Sequence, residues 1–160
     1  MRVRNIIHYI ITTILVIALA GMLLEHYRIL ENWALRGINS DTVSSMTLYG
    51  LAADHVAELS REEIDEIVTH INKIRILDKR PSPPPLAGNP NPDLLIKLNN
   101  GKEFTFKFVT TFDMELIVGD NAYWIGYAEE YPDEEYENAR ALYLLLNSYL
   151  TKYFPDIVWS

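Results

Sequence analysis

The chain has 160 residues, 14 basic and 22 acidic, which gives a formal net charge of −8 and a length typical of one domain. It contains no cysteine, which excludes disulfides, thiolate metal sites, a cysteine nucleophile and a lipidated N-terminal cysteine. Arg2 and Arg4 precede the first apolar segment, so the remainder carries a net charge of −10. We expect no nucleic acid partner, because phosphates would repel such a domain.

One long apolar segment lies near the N-terminus, from Asn5 to Leu24. As a helix, its 20 residues would extend about 30 Å, the thickness of the hydrocarbon core of a bilayer. The positions of Arg2 and Arg4 predict an N-terminus in the cytoplasm and a C-terminal domain outside. The segment therefore predicts a single-pass anchor in the cell membrane, with the lipid bilayer as the partner of residues 5–24.

The same segment also contains a possible cleavage site. The triplet Ala18-Leu19-Ala20 precedes Gly21 and resembles a signal-peptidase site, and cleavage near Ala20 would release a secreted protein. The apolar run continues to Leu24, beyond that site, so we favour an uncleaved anchor.

The segments after the anchor predict a linker followed by one domain. Residues 25–41 have a helical pattern that ends near Gly37, which is typical of a stalk or linker. Residues 42–49 alternate as a strand does. We therefore divide the chain into a cytoplasmic start and transmembrane anchor (1–24), a helical stalk or linker (25–41) and an extracytoplasmic α+β domain (42–160).

The clearest start of a helix lies at Ser60. Glu63 follows three residues later, which predicts a capping box, and Leu59 and Ile64 occupy the two positions of a hydrophobic staple. Five apolar side chains then recur at helical spacing and predict a stripe that packs against a sheet: Ile64, Ile67, Val68, Ile71 and Ile74.

The second half of the domain predicts a proline-rich connection, a strand meander and a helix. Residues 78–93 hold six of the eight prolines and favour an extended connection. Residues 94–128 alternate in four runs, with a two-residue hairpin at Asn100-Gly101. A helix starts near Pro132 and ends before Pro155. The fold class predicted is α+β: an N-terminal transmembrane helix, then an antiparallel sheet of four to five strands with two helices packed on one face.

Aromatic residues near the end of the meander form a candidate binding groove, because aromatic side chains are enriched at recognition surfaces. They are also ordinary core residues of a small sheet–helix domain, and we favour that interpretation. The five candidates are Tyr123, Trp124, Tyr127, Tyr131 and Tyr136.

Asp54, His55 and Glu58 form a candidate metal or acid–base group within LAADHVAEL. If that stretch were helical, Asp54 and Glu58 would share a face and His55 would lie beside Glu58. A metal site would normally need a further protein ligand, and none is evident nearby. We therefore favour a polar loop between strand and helix. We expect no cofactor.

The layout resembles the small extracytoplasmic domains of Gram-positive bacterial membrane proteins and lipoproteins. The resemblance covers most of residues 43–151 and rests on the basic start, the apolar segment, LSREEIDEIVTHI, and the strands around NNGKEF and GDNAYW. The lipobox cysteine that many such proteins carry is missing. The resemblance implies an extracytoplasmic location and transfers no catalytic residues to this chain.

These features predict a membrane-anchored, non-enzymatic module that binds a protein or a component of the cell envelope. No GxSxG, SxxK, GxGxxG or Walker motif is present. Two alternatives stay open. One is a secreted or anchored enzyme or metal-dependent module that uses Asp54, His55 and Glu58, and the other is a structural or assembly protein whose anchor pairs with another membrane protein.

Overall fold

The computed structural model describes residues 2–26, 29–51, 54–76, 79–80, 93–108, 114–125 and 133–156. Four helices and seven strands lie within these ranges. In chain order they are α1 (Arg2–His26), α2 (Ile29–Arg36), β1 (Val43–Tyr49), β2 (Val56–Glu58), α3 (Arg61–Ile71), β3 (Lys79–Arg80), β4 (Asp93–Leu98), β5 (Glu103–Phe108), β6 (Met114–Val118), β7 (Asn121–Ile125) and α4 (Asp133–Tyr153).

The described strands form one sheet with the order β2-β1-β4-β5-β6-β7-β3, in which every neighbouring pair is antiparallel. The α+β class, the N-terminal apolar helix and the meander from β4 to β7 are confirmed. The sheet has seven described strands, so the predicted count of four to five is too low. The strands missed are β2, with three residues, and β3, with two. Strands this short contain too few residues to show a period of two in the sequence.

One face of the sheet, which we call the core face, carries the hydrophobic core. Its central row runs in register from Leu48 through Leu94, Phe106 and Leu116 to Tyr123, and all five side chains are buried. Because side chains alternate along a strand, each of these residues is flanked by neighbours that point to the opposite face.

α3 forms as its start signal predicts, and it packs its apolar stripe into that core. The Ser60 hydroxyl accepts a 3.4 Å hydrogen bond from the Glu63 backbone N–H, and the Glu63 carboxylate accepts a 2.7 Å bond from the Ser60 N–H. These two bonds confirm the capping box. The buried side chains of the stripe are Ile64, Ile67, Val68, Ile71 and Ile74.

α2 packs on the domain, which differs from the predicted arrangement of two helices on the sheet. Leu35 and the following Ile38 are 1% and 0% exposed and belong to the same core as α3 and α4. The Asn32 side chain also donates a 2.8 Å bond to the Ile76 carbonyl and accepts a 2.7 Å bond from the Ile76 N–H. Three helices therefore contribute to the core, because the stretch predicted as a stalk has one apolar side that the sheet buries.

α1 is the described helix that is long and apolar enough to cross a membrane. Its candidate span covers Ile6–Glu25, one residue later than the apolar segment predicted from the sequence, and none of it is buried inside the protein. A signal sequence has the same length and composition, so these properties fit both an anchor and a signal.

Candidate functional site

The face of the sheet opposite the core, which we call the outer face, carries a row of polar and aromatic side chains. Five residues from five adjacent strands pair in register across it: Tyr49, Asp93, Lys107, Glu115 and Trp124. Neighbouring strands lie about 4.8 Å apart, so the backbones of Asp93 and Glu115 are separated by about 10 Å with Lys107 between them. We call these five residues the carboxylate row.

The carboxylates of this row are withdrawn from water without full hydrogen bonding. Glu115 is only 4% exposed, and its Oε1 atom accepts no hydrogen bond from any residue that the structure describes. The buried Oδ1 atom of the half-buried Asp93 is likewise without a donor within the described ranges. A buried acceptor without a donor costs about 1–3 kcal/mol, and more when it is charged. The row therefore holds two buried carboxylate oxygens without a donor among the described residues, and a ligand that displaced the groups covering them could supply one.

The electrostatics of the row are dominated by the burial of Asp93. Burial raises the pKa of Asp93 to about 6, the nearby Lys107 ammonium opposes this rise, and the negative charge of Glu115 adds to it. Asp93 is therefore largely ionised at pH 7 and largely protonated at pH 5. Two carboxylates share one ammonium in this row, so at neutral pH it attracts positive charge.

A second row on the outer face offers apolar surface beside the carboxylates. Its members pair in register two residues further along each strand: Thr47, Leu95, Thr105, Ile117 and Ala122. Leu95 and Ile117 are half-buried. A ligand bound along the outer face could therefore contact charged and apolar surface together, which is a usual property of protein recognition sites.

The candidate metal residues lie elsewhere, around the start of β2. Residues 56–58 form a strand, so the helical face that would have brought Asp54 and Glu58 together does not form, and both side chains are exposed. The His55 ring stacks on Phe154, with centroids 5.0 Å apart and planes inclined by 14°. Among the described residues, no group of three His, Cys, Asp or Glu side chains is placed to hold a metal. Metal binding by Asp54, His55 and Glu58 stays a prediction.

The candidate aromatic residues do not all lie on one side of the sheet. Tyr123 is buried on the core face and pairs with Leu116, whereas Trp124, the next residue, lies half-buried on the outer face. Tyr136 is half-buried on α4. The remaining two candidates, Tyr127 and Tyr131, lie outside the described residues. Trp124 is thus the candidate that the structure places in the carboxylate row.

Trp124 is identified from the sequence, but the other four members of this row are missed. Asp93 falls at the end of the predicted proline-rich connection, and Lys107 and Glu115 fall in alternating runs, where a polar residue is expected to face solvent. The Asn100-Gly101 signal predicts a turn but the wrong register, since a two-residue hairpin there would pair Asp93 with Phe108. The loop that forms has three residues (99–101), which shifts the register by one and pairs Asp93 with Lys107. Burial of Glu115 cannot be obtained from alternation, because alternation tells the two faces apart but not which polar positions lose solvent.

Comparison of the chain with protein-family models, curated proteins and solved structures finds no match. The resemblance to small Gram-positive extracytoplasmic domains therefore stays a prediction. Among the described residues, the carboxylate row is the strongest candidate for a ligand-binding site, because it combines buried acceptors, excess negative charge and flanking aromatic residues.

Proposed function

We propose that the chain is a membrane-anchored extracytoplasmic module that binds a protein partner, without catalysis, through the outer face of its sheet. The observation that carries this proposal is the buried Glu115 carboxylate, whose Oε1 atom has no donor among the described residues. A buried carboxylate in this state is costly to the fold, and a bound partner that supplies a donor removes the cost.

The membrane part of the proposal is supported by α1 and by the charges around it. The candidate span Ile6–Glu25 has a mean hydropathy of 2.3, and Arg2 and Arg4 precede it with no acidic residue before it. Both features favour a cytoplasmic N-terminus and a domain outside the membrane. If the segment is cleaved near Ala20 instead, the same domain is secreted and its binding face is unchanged.

The start of the domain then lies close to the bilayer. α2 begins three residues after α1 ends, and three residues extend at most about 10 Å. Two apolar side chains of α2, Leu30 and Trp33, are 63% and 76% exposed, whereas Leu35 is buried in the core. Tryptophan is favoured at the membrane–water interface, so this exposed side of α2 suits contact with lipid headgroups.

The arrangement of the carboxylate row favours recognition over acid–base catalysis. A pair of carboxylates that exchange roles as acid and base needs open space between them for the reacting group. In this row Lys107 pairs with both Asp93 and Glu115 and lies between them. A lysine on the strand between two carboxylates suits a charged recognition surface.

The proposal is tested by affinity purification of the full-length tagged chain from cross-linked cells. We expect a partner that is recovered with the wild type and reduced at least tenfold by Glu115→Gln, which keeps the shape of the side chain. Glu103→Gln is the matched control, because Glu103 lies on the same face in an exposed pair with Lys97 at 3.2 Å. Recovery of the same proteins with Glu115→Gln, or hydrolase activity of the purified chain, would contradict the proposal.

A further inference from the structure

The carboxylate row has a symmetry of composition that indicates what it binds. Lys107 is at the centre of the row and pairs with both carboxylates. An aromatic residue pairs with each carboxylate at the end of the row, Tyr49 with Asp93 and Trp124 with Glu115. An aromatic ring next to a carboxylate is the combination that binds ammonium and guanidinium groups, through the ring face and through charge-assisted hydrogen bonds.

The Glu115 end of the row is the better prepared of the two. Glu115 is nine-tenths buried and its Oε1 atom is without a donor in the described part of the chain. Its neighbours in the row, Lys107 and Trp124, are half-buried, so the parts of the row that solvent reaches lie on either side of Glu115. Carboxylates hidden from water interact more strongly with a cation than exposed ones do, because the surrounding dielectric constant is lower.

The spacing argues against a metal ion as the ligand of this row. Calcium binds its oxygen ligands at 2.3–2.6 Å, so two carboxylates that share one ion must approach to about 5 Å. The backbones of Asp93 and Glu115 are about 10 Å apart, and an ion held by both side chains would lie beside Lys107 on the strand between, whose positive charge would repel it. An anionic ligand is disfavoured as well, since two carboxylates outweigh one lysine.

We infer that the outer face binds a basic side chain, lysine or arginine, of a protein partner, with its cationic group seated between Glu115 and Trp124. This inference rests on the proposed function and names the chemistry of its ligand. A peptide is favoured over a small polyamine because half-buried Leu95 and Ile117 lie in the adjacent row, where apolar neighbours of the basic residue can pack.

The test is a titration of the full-length chain in detergent micelles, labelled with 5-fluorotryptophan and observed by fluorine NMR. The three tryptophan signals are assigned by single Trp→Phe variants. The probes are acetyl-Leu-Arg-Leu-amide, its Lys analogue and its neutral Gln analogue, at constant ionic strength. We expect a saturable shift of the Trp124 signal with the Arg or Lys peptide, at least tenfold weaker binding of the Gln peptide, and an unmoved Trp33 signal.

Three variants separate recognition from mere packing. Glu115→Gln should weaken binding of the basic peptide at least tenfold, and Glu103→Gln should leave it within about twofold. Lys107→Gln should strengthen it at least threefold, because it removes a competing cation from between the carboxylates. A purely structural role of the row predicts no such gain, and the gain keeps the inference testable even if Glu115→Gln fails to fold.

Several results would overturn the inference: a Trp124 signal that does not move, equal binding of the Gln peptide, or a larger response to calcium chloride or to spermidine than to the peptides. Its failure is distinguishable from failure of the proposed function. If partner recovery depends on Glu115 but basic peptides do not bind, only the inferred ligand class is wrong. If partner recovery does not depend on Glu115, the proposed binding face is wrong.

Discussion

Lys152, near the end of α4, donates a 2.8 Å hydrogen bond to the carboxylate of Glu63 in the first turn of α3. Tyr153 donates a second bond of 2.8 Å to the same carboxylate, which also caps α3 through Ser60. One nearly buried glutamate thus completes a helix start and joins two helices that lie far apart in the sequence.

Replacing Glu63 with glutamine should therefore destabilise the fold. We expect a loss of about 2 kcal/mol in the free energy of unfolding, because both the capping box and the charge-assisted bonds are weakened. Glu62→Gln is the matched control, since Glu62 lies in the same turn but is exposed. Urea denaturation of the two variants measures the difference, and equal midpoints would contradict the expected role of Glu63.

The same glutamate should make the domain sensitive to acid. Burial raises the pKa of Glu63, but hydrogen bonds from Lys152, Ser60 and Tyr153 outweigh it and lower the pKa to about 2. A carboxyl whose pKa is lower in the folded state stabilises the fold above pH 4.5 and loses that contribution as the pH falls towards 2. Wild-type stability should therefore drop over this window, and the drop should be smaller for Glu63→Gln when thermal unfolding is followed against pH.

Asp93 should have the opposite dependence. Burial raises the pKa of Asp93 to about 6, the charge of Lys107 lowers it and the charge of Glu115 raises it further. Tyr49 faces Asp93 from β1. Its contribution to stability is complete below about pH 4 and is lost as the pH rises through 6. Asp93→Asn should therefore be more stable than the wild type at pH 7, by about 1–2 kcal/mol, and the advantage should vanish at pH 4. A constant difference between the two proteins from pH 4 to pH 7 would show that Asp93 does not titrate as described.

His55 provides a test between packing and metal binding. Because its ring stacks on Phe154, His55→Ala should lower the free energy of unfolding by about 1 kcal/mol. Calorimetric titration with zinc and with calcium checks the metal hypothesis on the same variant. Zinc binding that His55→Ala abolishes, with no change in thermal stability, would favour a metal group of Asp54, His55 and Glu58 over a packing role.

The topology can be tested on intact cells that express the chain with a C-terminal tag. External protease should remove the tag, and the cell-associated form should keep its full length before protease is added. A shorter form released to the medium would instead indicate cleavage near Ala20. Protection of the tag in intact cells would contradict an extracytoplasmic domain.

The sequence predicted those elements whose local signals agree with one another. The capping box at Ser60 and Glu63 and the alternation of β4 to β7 appear as expected. A turn also forms at Asn100-Gly101, but the two-residue hairpin predicted there is wrong, because Leu98 bonds to Lys102 and the loop has three residues (99–101). β2 was missed because LAADHVAEL is rich in helix-forming alanine, whereas its pairing with β1 is a tertiary contact. The burial of Asn32 against Ile76 was missed for the same reason, since the two residues are 44 positions apart.

The candidate site was predictable only in part. Trp124 was identified as an aromatic candidate, but its partners Asp93, Lys107 and Glu115 depend on the register of three strand pairs. Polar residues at alternate positions normally face solvent, and no local signal distinguishes a buried Glu115 from an exposed Glu103. The information lies in the assembled sheet and not in any one strand.

The docking of α2 also has a mechanical consequence. Leu35 and Ile38 are buried in the core, and the Asn32 side chain makes two hydrogen bonds to the backbone of Ile76. α2 is therefore part of the folded domain. A tether of loose chain would stretch before it transmitted load. Because only two residues separate the end of α1 from the start of α2, tension on a membrane-embedded α1 would reach the sheet after very little extension. If α1 spans the membrane and a partner binds the outer face as proposed, force applied through the partner would pass through the sheet and α2 to α1 and the bilayer.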